Sequence, residues 1–381
     1  MKCSLMALCL LAFSTVRGQP GGMEAGGYVK SLTSRISNEG EAPHYDHLLH
    51  ARLNTKWFPA DDLSGALELR LRWYYGASVE QVPDFARQLG HDAGFGRLGA
   101  VLWETEQSVG YGEVDRLYVN WTPGRWQATV GRQRIAWGTN LVWNPIDVFN
   151  PFSVLDFDYE ERPAADAVRV QYYTGEISKI ELAVKPGNRT VKSITAAQWT
   201  SNEWDYDFHF LGGRRGNTWL AGTGWAGDIM GGGFRGEALV SEVPDELRLP
   251  ESGRVMVSAA LSVDYTFPSS FYIHAEALHN SQGVTENAAL ARPRAEMLGL
   301  LSPARWSLYQ EFSYDVTPLV RAGGFTIYNP DDHSVVLSPS ATWSIITNLD
   351  LTLLALLFSG APLTEYGGLG TITYLRLKWS F

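Results

Sequence analysis

The final residues of the chain, TITYLRLKWSF (371–381), alternate strictly: Leu375, Leu377, Trp379 and Phe381 occupy every second position, and Tyr374, Arg376, Lys378 and Ser380 fill the gaps. A period of two sends successive side chains to opposite faces of a strand. One face here is apolar and aromatic, while the other carries two cations. In a water-soluble sheet such an apolar face must be covered, because an exposed apolar edge invites aggregation. A strand with lipid on one side and a wet lumen on the other needs no cover. The stretch therefore points to a transmembrane β-barrel. An amphipathic last strand of a soluble exported sheet is the alternative reading.

The same period recurs throughout the chain. Leu67, Leu69, Leu71 and Trp73 alternate with Glu68, Arg70, Arg72 and Tyr74. Leu117, Val119 and Trp121 do so with Arg116, Tyr118 and Asn120, and Ile180, Leu182 and Val184 with Lys179, Glu181 and Lys185. Further strands are expected near 26–37, 46–57, 126–132, 168–173, 191–200, 204–212, 218–228, 234–243, 254–265, 271–280, 305–316, 319–328, 335–346 and 348–358. Residues 76–112 read mainly as an external loop, with 98–103 as a short strand or hairpin above the membrane. Tight connections such as Phe267-Pro268-Ser269 and Thr317-Pro318 alternate with longer ones such as 281–304. That sidedness is what an antiparallel barrel with short periplasmic turns and long external loops requires. The expected fold is all-β, a single-domain antiparallel transmembrane β-barrel of about 18 strands, with 16 as the alternative.

Composition supports this architecture. The chain of 381 residues carries 14 Trp, 17 Tyr and 16 Phe, yet no run approaches the ~18 apolar residues that a membrane helix needs. Half-apolar strands with aromatic girdles reconcile the two facts. A formal net charge of −10 argues against a nucleic-acid partner. Residues 1–18 combine Lys2, an apolar core over 5–13 and a Val16/Gly18 pair before Gln19, the pattern of a cleaved secretory signal peptide. Both cysteines, Cys3 and Cys9, fall inside it. Residues 19–381 would then form the barrel without disulfides or thiolate chemistry. No metal site, cofactor or catalytic set is read in the sequence.

The terminal stretch resembles the C-terminal assembly signal of bacterial outer-membrane barrels. By that resemblance Leu375, Leu377, Trp379 and Phe381 would be read by the barrel-assembly machinery. The densest chemistry lies in VGRQRIAWGTNLVWNPIDVFNPF (130–152) followed by SVLDFDYEERPAAD (153–166). This run resembles a GRQ-x-x-x-WG element of porin-like outer-membrane proteins. In its longer form it is similar to a largely uncharacterised Gram-negative barrel family. The resemblance implies an outer-membrane location among outer-membrane lipids and a porin-like function; it names no solute.

A long loop over 134–166 with opposite charges at its two ends has a physical use: folded into the lumen, it narrows the passage, and charges there set selectivity. Candidate constriction and lumen residues are Arg70, Arg72, Arg116, Arg132, Gln133, Arg134, Asp156, Asp158, Glu160, Glu161, Arg162 and Arg169. The four acids are expected to face, in part, Arg132, Arg134, Arg162 and Arg169. The same charges could equally pin the loop to the wall. An Arg or Lys at mid-bilayer facing lipid costs about 2–4 kcal/mol, so the cations of the alternating strands belong in the lumen. Cations outnumber acids among the strand positions singled out, so acids are expected to concentrate in loops and elsewhere. The functional expectation is a channel for passive or selective diffusion of small hydrophilic solutes, with no enzymatic role. A non-channel barrel, either a lipid-acting enzyme or a polysaccharide-export or assembly component, is the alternative.

Overall fold

The computed structural model describes residues 21–38, 40–89, 94–150, 161, 163–188, 192–250 and 252–381. The signal-peptide assignment to residues 1–18 lies outside them. The strands, in chain order, begin with β1 (Gly22–Ser37), β2 (His44–Ala60), β3 (Leu63–Gly76), β4 (Gly99–Glu104), β5 (Ser108–Trp121) and β6 (Trp126–Gln133). They continue with β7 (Ala165–Tyr173), β8 (Lys179–Lys185), β9 (Ile194–Glu203), β10 (Tyr206–Arg215), β11 (Thr218–Ile229), β12 (Gly232–Glu242) and β13 (Val255–Thr266). The last are β14 (Tyr272–Asn280), β15 (Trp306–Thr317), β16 (Val320–Tyr328), β17 (Val335–Ile346), β18 (Leu349–Ser359) and β19 (Thr371–Ser380). Each pairs antiparallel with its sequence neighbour, except that β3 pairs directly with β5. The sheet closes where β19 pairs with β1, in the register Tyr28 opposite Ser380. The result is a closed antiparallel barrel of 18 strands, with β4 outside the count.

Alternation decides which side each residue faces. On β8, Ile180, Leu182 and Val184 are exposed on the outer surface, while Glu181, Ala183 and Lys185 are buried inside. Leu375, Leu377 and Trp379 are likewise on the outer face of β19, as the terminal stretch suggests. Aromatic side chains gather beside the tight turns: Trp126 meets Tyr172 at 4.7 Å, and Phe271 stacks on Phe312 at 6.2 Å. Such a ring suits the interface between hydrocarbon and headgroups. Phe381 completes the seam through its main chain, donating to Gly27 O at 3.0 Å and accepting from Gly27 N at 2.9 Å.

Two expectations need correction. Residues 108–112 belong to β5 rather than to an external loop, and β3 continues to Gly76, so this hairpin is taller than expected. Trp204 is not in a strand: with Asp205 it makes the β9–β10 turn, at φ 55° and 63°. The short strand anticipated over 98–103 is β4, and its place has a cause. β6 pairs only with the lower part of β5, from Leu117 to Trp121, before the chain leaves the wall after Gln133. β4 takes up the vacated edge of β5, pairing Gly99 with Glu113 and Ala100 with Gly112. Without it the upper backbone groups of β5 would face nothing on that side.

Candidate functional site

The loop after β6 enters the barrel, and the residues at its root explain how. Gly131 has φ +121°, and a Cβ there would come within 2.2 Å of Leu117 O, so only glycine fits. Arg132 lies opposite Asp166 across the β6–β7 pair and binds it with both ends of the guanidinium, Nε–Oδ1 at 2.7 Å and Nη2–Oδ2 at 2.9 Å. The same Nη2 donates to Gly96 O at 2.7 Å, tying in the segment that leads to β4. Gln133 donates to the carbonyls of Thr129 and Ala167, at 3.0 and 3.1 Å. These contacts hold the two strands together where the chain departs. Arg134 is exposed.

Beyond the root, residues 135–150 pack against the inner wall. Ile135, Trp137, Ile146, Val148 and Phe149 form one cluster with Ala167, Ala183, Ala196, Leu211, Leu220 and Leu239. The wall side chains are small or aliphatic at these positions, which leaves room for the loop. Trp143 joins a second cluster with Ala260, Leu278, Tyr309, Ile327 and Leu354. Each fully buried side chain of this size contributes roughly 1.5–3 kcal/mol.

The polar groups of a loop buried this way, main chain above all, need partners. Three inward glutamates supply them. Glu181 on β8 accepts from the Trp137 indole N–H at 2.5 Å and is itself paired with Arg169 at 2.7 Å and Lys179 at 3.3 Å. Glu237 on β12 accepts from the backbone N–H groups of Thr139, Asn140 (2.9 Å) and Ile146 (3.1 Å). Glu276 on β14 accepts from those of Val142 (3.1 Å) and Trp143 (2.6 Å). The loop thus follows the wall from β8 to β14. Acids were expected to concentrate in loops and elsewhere, and these three lie on the wall. Sequence reading marked Glu181 as lumen-facing but not Glu237 or Glu276, since their partners are main-chain groups 91 to 134 residues away.

The opposite wall, β19 with β1, β2, β3 and β5, is basic. Lys378 lies opposite Lys30, Lys30 opposite His50, and His50 opposite Arg72, so one row across four adjoining strands carries three cations and an imidazole. Two residue pairs below, on the same face, Arg52 lies opposite Arg70. Like charges placed directly opposite destabilise a sheet, by a few tenths of a kcal/mol to about 1 kcal/mol. Part of this is offset locally. Lys378 Nζ stands 4.6 Å from the centre of the Tyr28 ring. Arg72 Nη2 is 3.0 Å from Glu113, and Arg70 also pairs with Glu113.

Asp115 neutralises more of this charge through a β-bulge. Glu68 pairs with Arg116 and Leu69 with Val114, so Asp115 is the extra residue on β5 and turns inward beside Arg116. It lies 2.6 Å from Arg52, 3.2 Å from Arg116 and 3.8 Å from Arg70. Strict alternation would have sent it to lipid.

The far arm of the loop returns to this wall. Glu161 accepts from the Tyr28 hydroxyl at 3.2 Å and lies 3.6 Å from Arg52 Nε. Its cation is therefore Arg52, which sequence reading had not singled out. The pairs found for Arg132 and Arg169 run to Asp166 and Glu181. Asp156, Asp158, Glu160 and Arg162 lie outside the described residues.

Comparison of the whole chain with solved structures finds the same architecture. The chain aligns with OccAB3 of Acinetobacter baumannii at a TM-score of 0.60 and 10% identity, over 94% of this chain and 99% of that one. OccK8 (OprE) of Pseudomonas aeruginosa aligns at a TM-score of 0.55 and 9% identity, over 94% and 98%. The outer membrane channel DcaP of A. baumannii aligns at a TM-score of 0.50 and 10% identity, over 97% and 100%. The fold is that of an outer-membrane porin. At this identity the likeness is one of fold. No protein-family model matches the chain, and no curated protein matches it in sequence.

Proposed function

We propose that the protein is a porin-like channel of the bacterial outer membrane through which small hydrophilic solutes diffuse. What carries this reading is the inward loop: docked on wall glutamates over β8–β14, it lies across the barrel from the cationic wall of β19, β1, β2, β3 and β5, whose half-buried Arg72 and Lys378 border the passage. A barrel of this strand number is too wide for wall side chains alone to fill. Arg72 and Lys378, with the buried Lys30, Arg52, Arg70 and Arg116 around them, form the cationic side of the constriction, and Glu161 is held against that side by Arg52 and Tyr28. Charges fixed along a passage sort solutes by sign. The greater weight of cations on the wall favours small anions. Arg132, Gln133 and Arg169 shape the constriction from outside it, by holding the root of the loop and Glu181. Passage involves no chemistry on the solute. On the same reading, Leu375, Leu377, Trp379 and Phe381 are the segment that the barrel-assembly machinery reads, as a strand already shaped to join β1.

Liposome swelling tests this. Vesicles carrying the folded protein should swell in small uncharged and anionic solutes, and more slowly in cationic solutes of equal size. Vesicles no more permeable than protein-free ones would overturn the channel reading, and faster entry of cations would overturn the anion preference.

A further inference from the structure

Glu276 has two sets of partners. Toward the lumen its Oε1 accepts the Trp143 N–H at 2.6 Å and its Oε2 the Val142 N–H at 3.1 Å. Along the wall the same Oε2 lies 3.4 Å from His274 Nε2. The His274 side chain is fully buried, and its other nitrogen, Nδ1, lies 3.7 Å from Glu311 Oε2 on β15. Ser262 Oγ on β13 is 3.1 Å from Nε2. His274 is thus a buried imidazole between two carboxylates, one of which holds the tip of the loop.

We infer that Glu237 and Glu276 are positioning residues that fix the constriction by gripping the loop through its main chain, and that the proton on His274 governs the grip of Glu276. A backbone N–H can be held by any residue at the loop position, so the hold depends on the acceptor rather than on loop side chains. Two carboxylates that between them accept five N–H donors are an acceptor set that uncharged residues would not match.

The surroundings of His274 set the direction of its effect. From β13 it faces Ser262 and, in register, Asp264, which is paired with Arg235 of β12. From β14 come Tyr272 and Glu276, and from β15 Tyr309 and, in register, Glu311. From the described residues of the loop come the N–H groups on Glu276 and the Trp143 ring, which packs edge-on against Tyr309 at 6.2 Å. Acids predominate in this shell. As imidazolium, His274 offsets the charges of Glu276 and Glu311. Once neutral, it leaves two neighbouring carboxylates to repel each other, and the repulsion draws Glu276 off the loop N–H groups. The grip should therefore loosen as pH rises through the imidazole titration.

The holding of the loop does not depend on conduction, whereas its consequence for passage rests on the channel reading. Amide hydrogen exchange on the folded full-length protein in detergent separates the two. After correction for intrinsic rates, Glu276→Gln should lower protection about tenfold at Val142 and Trp143, and Glu237→Gln at Thr139, Asn140 and Ile146, with the barrel strands unchanged. Glu276→Asp, which keeps the charge, should restore part of the protection. In the parent, protection at Val142 and Trp143 should fall with rising pH, and His274→Gln should abolish that step. Unchanged loop protection in both glutamine variants, or a loss spread evenly over the strands, would overturn the positioning role. A pH step retained in His274→Gln would overturn the role of the imidazole. Local loss of protection in a protein that passes no solute would uphold the inference and defeat the channel reading alone.

Discussion

Asp115 Oδ2 lies 2.6 Å from Arg52 Nη2, across 63 residues of sequence, and only because a bulge on β5 turns the aspartate into the lumen. This one carboxylate also meets Arg70 and Arg116. Removing it leaves three guanidinium groups facing one another in a buried setting. Asp115→Asn is expected to destabilise the barrel by about 3 kcal/mol. Urea unfolding of the lipid-refolded protein checks this, and a variant as stable as the parent would show the cluster to be well solvated.

The row Lys378–Lys30–His50–Arg72 should matter less for folding than for passage. Arg72→Gln combined with Lys30→Gln removes two like charges from one row, on the strands either side of β2, and with them the direct opposition of Lys30 and Lys378, so stability should hold or rise slightly. Ion preference should move toward cations. The reversal potential in a potassium chloride gradient measures it, and the double variant should be displaced from the parent in the cation-selective direction.

Gly131 sits at φ +121° with the Leu117 carbonyl where a Cβ would go. Gly131→Ala must push β6 away from β5 at the point where the chain turns inward, a strain of about 1–3 kcal/mol or more. Gel mobility before and after heating reports the folded fraction. A marked fall is expected, whereas Gly124→Ala in the β5–β6 turn, where a Cβ would meet nothing within 4 Å, carries only the strain of its own φ of +59°.

Glu365, in the β18–β19 loop, accepts from Ser302 at 2.9 Å and Asn329 at 3.0 Å, and burial pushes its carboxyl above the ordinary carboxylate range. A carboxyl whose folded value is raised favours the folded loop while protonated. The stabilisation is full below the ordinary carboxylate value and is lost as pH rises through the raised one. Proteolysis of this loop cluster should therefore be slowest in mild acid and quicken toward neutral pH. Glu365→Gln should flatten the profile; a profile unchanged by that substitution would place the titration elsewhere.

The terminal strand offers a test in cells. Deleting Phe381 removes both main-chain bonds to Gly27 at the seam. Membrane-inserted protein should fall several-fold at equal expression, as measured by heat-modifiable barrel in outer-membrane fractions.

The barrel was legible because alternation is a local signal. Ile180, Leu182 and Val184 reveal their face without knowledge of any partner. Even the displaced strand over 98–103 was legible as a short strand or hairpin above the membrane. The site was legible only in part. Arg70, Arg72 and Arg116 follow from the same alternation, but Asp115 escapes it because a bulge is a property of two strands compared. Arg52 and Lys30 were obscured by weaker patterns in β1 and β2. Glu237 and Glu276 look like any inward polar residues until the loop that they hold is in place. Their meaning depends on main-chain groups far away in sequence, which no local pattern encodes.

Single-channel recording of the refolded protein in a planar bilayer tests the central claim most directly, with a variant in which a short Gly-Ser link replaces residues 136–148. The parent should show stepwise currents on the nanosiemens scale, and the shortened variant a larger conductance with weaker ion preference. A correctly folded, heat-modifiable parent that passes no current, or a variant no more conductive than the parent, would contradict a passage bounded by this loop.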